Sequence, residues 1–223
     1  MVSEELLKKA EDFHGHICPY LVLGLRASEI AMQRLGLGKA HVSESIGEDI
    51  LAIVEANNCF ADGVQIATGC TFGNNSLIYL DIGKAAVTLV RRGVWKGVRV
   101  YVDYEKISKL YFKGEVDELW RKVVVRREGT EDDVRRLDKL FRDIGLSLAN
   151  APEDLFKVEE VTVSEIEPAP IFETVRCEVC GETMPASRAV EVDGKKLCLS
   201  CAGKANAVIG RGIVLNFPVP IHR

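Results

Sequence analysis

Phe13-His14-Gly15-His16-Ile17-Cys18-Pro19 puts two imidazoles and a thiol within five residues, with a proline directly behind them. Proline lacks the N–H that a first helical turn leaves unbonded, and its fixed φ suits that turn. The apolar run after it reads as a helix over 19–35, closed by Gly36 at the C′ position. Cys18 then falls at the N-cap, where free N–H groups and the helix dipole favour a thiolate. The corner thus ends one helix, opens the next and gathers metal-competent atoms between them.

Upstream, Ser3 caps an amphipathic helix carrying Glu4 and Glu5 in its first turn. Downstream, 51–55 is short, apolar and β-branched and reads as a buried strand leading into Asn57-Asn58-Cys59. A short helix covers 62–68, and the Gly/Asn-rich stretch 69–75 is a loop. Strands are expected over 77–81, 86–91 and 98–103. Helical spacing marks 115–127 and 131–148, and alternation over 155–164 marks an edge strand. Helices, then strands, then helices describe an α+β sandwich rather than a βαβ repeat.

With 223 residues, 47% hydrophobic and 28% charged, the chain has material for a sizeable core and an appendage. Its net charge of −4 and pI near 5.7 argue against a general polyanion binder. No apolar run reaches membrane-spanning length, and the N-terminus does not resemble a signal peptide, so a cytoplasmic protein without a membrane partner is expected. The proline-bearing stretch Glu165-Ile166-Glu167-Pro168-Ala169-Pro170 divides a core domain, 1–166, from a linker and small module, 167–223.

That module carries Cys177-x2-Cys180 and Cys198-x2-Cys201, seventeen residues apart. The spacing is that of a four-thiolate structural zinc site. Asp193-Gly194 is a strong hairpin signal between short apolar runs. A helix starting near Ser200 would complete a treble-clef finger. Such a site leaves no open position for chemistry, and the metal supplies folding energy to a module too small for its own core. The mild basic excess of the tail reads as a solvated face rather than a nucleic-acid surface.

Cys18, Cys59 and Cys70 follow no such spacing. Single cysteines are usually core residues. Cys18, however, sits in His-x-His-x-Cys-Pro, Cys59 ends a strand where α/β sites open, and Cys70 lies in a Gly/Asn loop. His16, Cys18, Cys59 and Cys70 would form a mixed N/S site suited to zinc or another soft transition metal. His14 is open to three roles: ligand, partner behind a ligand, or general acid/base. Disulfide chemistry between Cys59 and Cys70 is a competing reading. His41 and His222 are read as surface residues. Asp81 and Lys84 flank a tight turn and read as an exposed ion pair. Asn74 and Asn75 either brace their loop or bind a ligand.

Four segments resemble, in order, the FmdE family associated with formylmethanofuran dehydrogenase: 14–19, 59–65, 68–74 and 81–84. The resemblance implies a thioredoxin-like α+β core with a mixed five-stranded sheet flanked by helices, followed by a zinc finger in longer members. It implies a metal site built from His16, Cys18, Cys59 and Cys70, with His14, Cys18 and Cys59 as the candidate catalytic groups. Asp62, Gln65, Thr68, Asn74, Asp81 and Lys84 fall on the shared motifs and are candidate ligand-binding residues. Tyr20 stands where members often carry glycine, which narrows the expected pocket. The resemblance further implies a homodimer and an accessory or redox role beside formylmethanofuran dehydrogenase subunits or another redox enzyme. The competing class is a regulatory module whose finger docks a protein or nucleic acid while the core only dimerises.

Overall fold

The Ser3 hydroxyl accepts from Leu6 N–H at 3.2 Å and starts α1 (Glu4–His14), which Gly15 ends in the left-handed region at φ 89°. Such a φ suits a glycine, which has no Cβ to clash. The chain crosses the His/Cys corner and enters α2 (Pro19–Leu35), with Cys18 as its N-cap and Gly36 as its left-handed C-cap. The structure, a computed structural model, describes residues 1–204, 206–210 and 214–218. His222 lies outside the described residues.

After a short exposed α3 (Val42–Ile46), the fully buried β1 (Ile50–Val54) leads to α4 (Cys59–Thr68), whose first turn is capped by Asn58. Then come β2 (Leu77–Tyr79), β3 (Ala86–Arg91), β4 (Lys96–Val102), α5 (Tyr104–Tyr111), α6 (Glu115–Trp120), α7 (Glu131–Leu148) and β5 (Phe156–Thr162). The expected helix over 115–127 is therefore split, because Arg121–Val125 widens into a π-helical turn. Neither α3 nor α5 was expected, although Asp103, which accepts from Lys106 N–H at 3.2 Å, is a recognisable cap for α5.

The five strands form one mixed sheet in the order β2-β1-β3-β4-β5, parallel only between β1 and β2. Alternate residues of β1, β3 and β4 (Ala52, Val54, Val87, Leu89, Val98, Val100) join Leu21, Leu25 and Phe60 of α2 and α4 in one core. Each large apolar side chain contributes about 1.5–3 kcal/mol by leaving water. The α+β class and mixed five-stranded sheet are as expected.

At the end of β1 sits a buried carboxylate, Glu55, which Arg99 holds through two hydrogen bonds of 2.6 and 2.8 Å. The Glu55 carbonyl accepts from Gly83 and Lys84 N–H, which folds the Asp81–Lys84 turn over this end of the strand. Among the described residues no helix is long and apolar enough to cross a membrane.

Residues 1–166 and 167–223 form two compact units. In the second, β6 (Thr174–Arg176) pairs with β7 (Thr183–Pro185), β8 (Ala189–Val192) with β9 (Lys195–Cys198), and β10 (Asn206–Gly210) with β11 (Val214–Pro218). Asp193 and Gly194 both have positive φ, the backbone of the expected two-residue hairpin turn. The helix expected near Ser200 is a single turn instead. Lys204 N–H bonds Leu199 O at 2.8 Å, Gly203 turns left-handed at φ 65°, and the next described element is β10.

Candidate metal centre

Two helices deliver the central thiols. Cys18 caps α2, and Cys59 is the first residue of α4. They meet because α2 and α4 cross at two glycines. A Cβ on Gly24 would stand 2.2 Å from Phe60 O, and one on Gly63 would stand 2.2 Å from Leu21 O. No side chain fits either gap, so only glycine lets the backbones pass this closely. On the other side, Gly145 of α7 lies against Ile17 and the Cys18 carbonyl, with no room for a Cβ.

The metal-competent atoms of His14, His16 and Cys18 all lie within 4.8 Å of one another. Donor atoms around a tetrahedral zinc sit roughly 3.3–3.8 Å apart, given bonds of about 2.0–2.3 Å, so closure needs only about 1 Å of side-chain adjustment. His14 Nε2 lies 4.0 Å from Cys18 Sγ, while its Nδ1–H donates to Asp62 Oδ2 at 2.7 Å. Asp62 Oδ1 accepts from Gln65 Nε2 at 3.2 Å. The two imidazole rings are 4.7 Å apart. Two nitrogens and a sulfur suit zinc or another soft transition metal, whereas Cys59, expected as a ligand, lies outside this group of three.

Cys59 interacts with Cys18 and His14, and the two thiols are shifted in opposite directions. The neighbouring Cys18, backed by the nearby His14 and His16, lowers Cys59 to about 6 despite its burial. Cys18 is pushed strongly up, first by Cys59 and then by burial. Its position at a helix cap favours a thiolate on Cys18. The shifts run the other way, with Cys59 lowered and the more buried Cys18 raised. Tyr20 closes one side, its ring 6.0 Å from that of Tyr104, and burial beside Tyr104 raises its phenol.

Cys70 does not join the cluster. Its buried thiol donates to Ile50 O of β1 at 3.3 Å, and desolvation raises it to about 11. The left-handed Gly69 swings the chain back under the sheet and takes the sulfur with it. Cys59 and Cys70 are both free cysteines here and have different partners, so the structure lends no support to a disulfide between them.

Other motif residues divide similarly. Thr68 donates to Val64 O and accepts from Cys70 N–H, so it finishes α4. Asn74 Oδ1 accepts from Thr71 and Ser76 N–H, while its amide donates to Gly69 O and Ser45, which spends the side chain on bracing its loop. Asp81 accepts from Tyr79 Oη at 2.8 Å, where an ion pair with Lys84 was expected. Sequence reasoning missed Asn57, whose Oδ1 is buried without a partner just before Asn58 and Cys59.

The second unit holds its own cluster. The sulfurs of Cys177, Cys180, Cys198 and Cys201 lie within 4.8 Å of one another. Backbone N–H groups of Cys180, Cys198 and Val179 lower Cys177 to about 6, the usual preparation of a thiolate for zinc. Cys201 N–H donates to Cys198 Sγ at 3.3 Å. Four cysteines on two turns make a closed donor set of the kind that holds a structural zinc.

Comparisons agree with this division. Residues 13–157 match the family described as "FmdE, Molybdenum formylmethanofuran dehydrogenase operon", and 170–207 match the prokaryotic dksA/traR C4-type zinc finger. A solved structure of a tungsten formylmethanofuran dehydrogenase FmdE-like protein from Syntrophus aciditrophicus aligns with a TM-score of 0.59. It is 29% identical, covering 90% of this chain and 91% of that one. A probable S-adenosyl-L-methionine-binding protein of Archaeoglobus fulgidus is 58% identical over 94% of this chain. The chain spans 56%, somewhat over half, of that relative's length. On the match over most of its first unit, the chain belongs to the FmdE family, with a C4-type zinc finger following the family domain.

Proposed function

We propose that the core corner binds zinc or another soft transition metal through His14, His16 and Cys18, with Cys59 beside them, and offers it to a small ligand or thiol. The chain would act as an accessory or redox protein of one-carbon metabolism, in the manner the family description suggests. The observation that carries this reading is the convergence of the three donors within 4.8 Å at the junction of α1 and α2. A bound metal there supplies Lewis acidity and holds a thiolate at neutral pH. The protein's own residues orient the donors, and Tyr20 limits access. A homodimer, and docking onto a formylmethanofuran dehydrogenase-type enzyme or another redox enzyme, belong to the same proposal.

Elemental analysis of wild type, Cys18→Ser and Cys177→Ser tests it. About two metals per chain are expected in wild type and about one in each variant, with the two variants losing different ions. One metal in wild type, retained in Cys18→Ser, would sink the idea.

A second reading, S-adenosyl-L-methionine binding, is favoured by the 58% identity to the A. fulgidus protein. Calorimetric titration of the full chain with that cofactor decides it. Saturable binding supports it, and no binding overturns it for this chain.

A further inference from the structure

Asp62 lies one turn into α4, three residues past Cys59, and 48 residues from the histidine it touches. Its carboxylate has two oxygens and two partners: Oδ2 takes the His14 Nδ1 proton at 2.7 Å, and Oδ1 takes the Gln65 amide at 3.2 Å. A carboxylate on Nδ1 requires a proton there, so in the neutral ring it is Nε2 that carries the lone pair. That lone pair lies on the side of Cys18, with Nε2 4.0 Å from its sulfur. His14 is itself well enclosed, its side chain 12% exposed, so the ring has few alternative orientations once the bond is made.

We propose that Asp62 is a positioning residue for the core centre: it holds His14 as the Nδ1–H tautomer with Nε2 presented as a ligand, and Gln65 holds Asp62 in turn. The proposal rests on the metal-binding reading above and resolves the three roles that sequence left open for His14. A carboxylate behind a ligating imidazole fixes the ring and raises its basicity, and removing such a partner typically weakens metal binding about 10–100-fold. A bond that merely clipped α1 to α4 would contribute to stability and leave the donor atoms' affinity alone.

The test uses the full-length protein, Co2+ as probe and 15N-labelled histidine. Wild type, Asp62→Ala, Asp62→Asn and Gln65→Leu are titrated with Co2+ and followed by thiolate-to-metal absorption. The metal-free proteins are examined for the His14 ring nitrogens by NMR. Wild type should show His14 as the Nδ1–H tautomer. Asp62→Ala should bind Co2+ at the core about 10–100-fold more weakly and show a tautomer mixture. Asp62→Asn keeps an acceptor but not the charge, and should fall between the two while retaining the tautomer. Gln65→Leu should show the smallest loss. The four-cysteine site should bind Co2+ alike in all of them.

Core affinity within about threefold of wild type in Asp62→Ala, or an unchanged tautomer there, overturns the assignment while leaving the metal reading intact. Should Asp62→Ala not fold, Asp62→Asn decides, and affinity within about threefold of wild type overturns the proposal. Wild type that takes up Co2+ only at the four cysteines overturns the metal reading and this proposal with it.

Discussion

The protein carries two sulfur-bearing clusters that solve opposite problems. The finger collects four cysteines from two tight turns within a segment, 167–204, where only Cys177 and Leu197 are buried. The core corner collects its donors on a scaffold already packed around Leu21, Leu25 and Phe60, with Cys59 delivered from another helix. In the first case an ion would hold the chain together; in the second, on the function proposed above, the chain would hold the ion. Metal loss should therefore unfold one region and leave the other standing.

The largest expected effect tests the finger side of that contrast. Structural zinc in finger peptides is worth about 10–16 kcal/mol of apparent binding energy, most of which is folding energy. Cys177→Ser, or chelation, should collapse the NMR dispersion of residues 174–204 while signals from 1–166 persist. Cys18→Ser should do neither, and its melting transition should stay within a few degrees of wild type. If Cys18→Ser unfolds the core domain, the contrast is wrong.

How legible each region was follows from how its contacts are encoded. The finger's ligands are paired by local spacing, and the Asp193-Gly194 turn by backbone preference, so both could be read directly. The single turn that replaced the expected helix depends on Gly203 turning left-handed and on β10 following closely. In the core, Pro19 and Gly36 gave the limits of α2, because proline and glycine act locally. Cys70 was misread for the opposite reason. Its Gly/Asn surroundings looked like a site loop, yet the direction of its sulfur is set by Gly69 and by a carbonyl of β1, twenty residues away in sequence. The Asp62–His14 bond, spanning 48 residues, has no local spacing to announce it.

A second prediction concerns the helix crossing that brings the core thiols together. A methyl group at Gly63 would meet Leu21 O at 2.2 Å, a backbone atom that cannot turn aside. Gly63→Ala should force α2 and α4 apart and cost about 1–3 kcal/mol, as overpacking usually does. It should also weaken core Co2+ binding, since Cys18 and Cys59 ride on the two helices being separated. The finger's affinity should not change. Urea denaturation and metal titration on the same sample separate the two losses. A variant destabilised with its core affinity intact would show that the crossing is only packing.

The smallest effect sharpens the boundary of the core cluster by asking whether Cys70 belongs to it. Its thiol makes one bond to Ile50 O and is buried, so Cys70→Ala should cost about 1–2 kcal/mol, from the lost bond and a small cavity. The count of bound metal should stay at the wild-type value. The pH dependence gives an independent signature. Burial raises the Cys70 thiol from 9.0 to about 11 in the folded protein, so between those values the unfolded chain has already released a proton that the folded one retains. Stability then falls as pH rises through that interval, by on the order of 2–3 kcal/mol, and Cys70 contributes no slope below about pH 9. The difference between wild type and Cys70→Ala, followed by urea denaturation from about pH 8 to about pH 11, should shrink to zero and change sign near the top of the interval. A flat difference, or a metal lost with Cys70, would return this cysteine to the centre, because a ligating thiolate has no proton left to release.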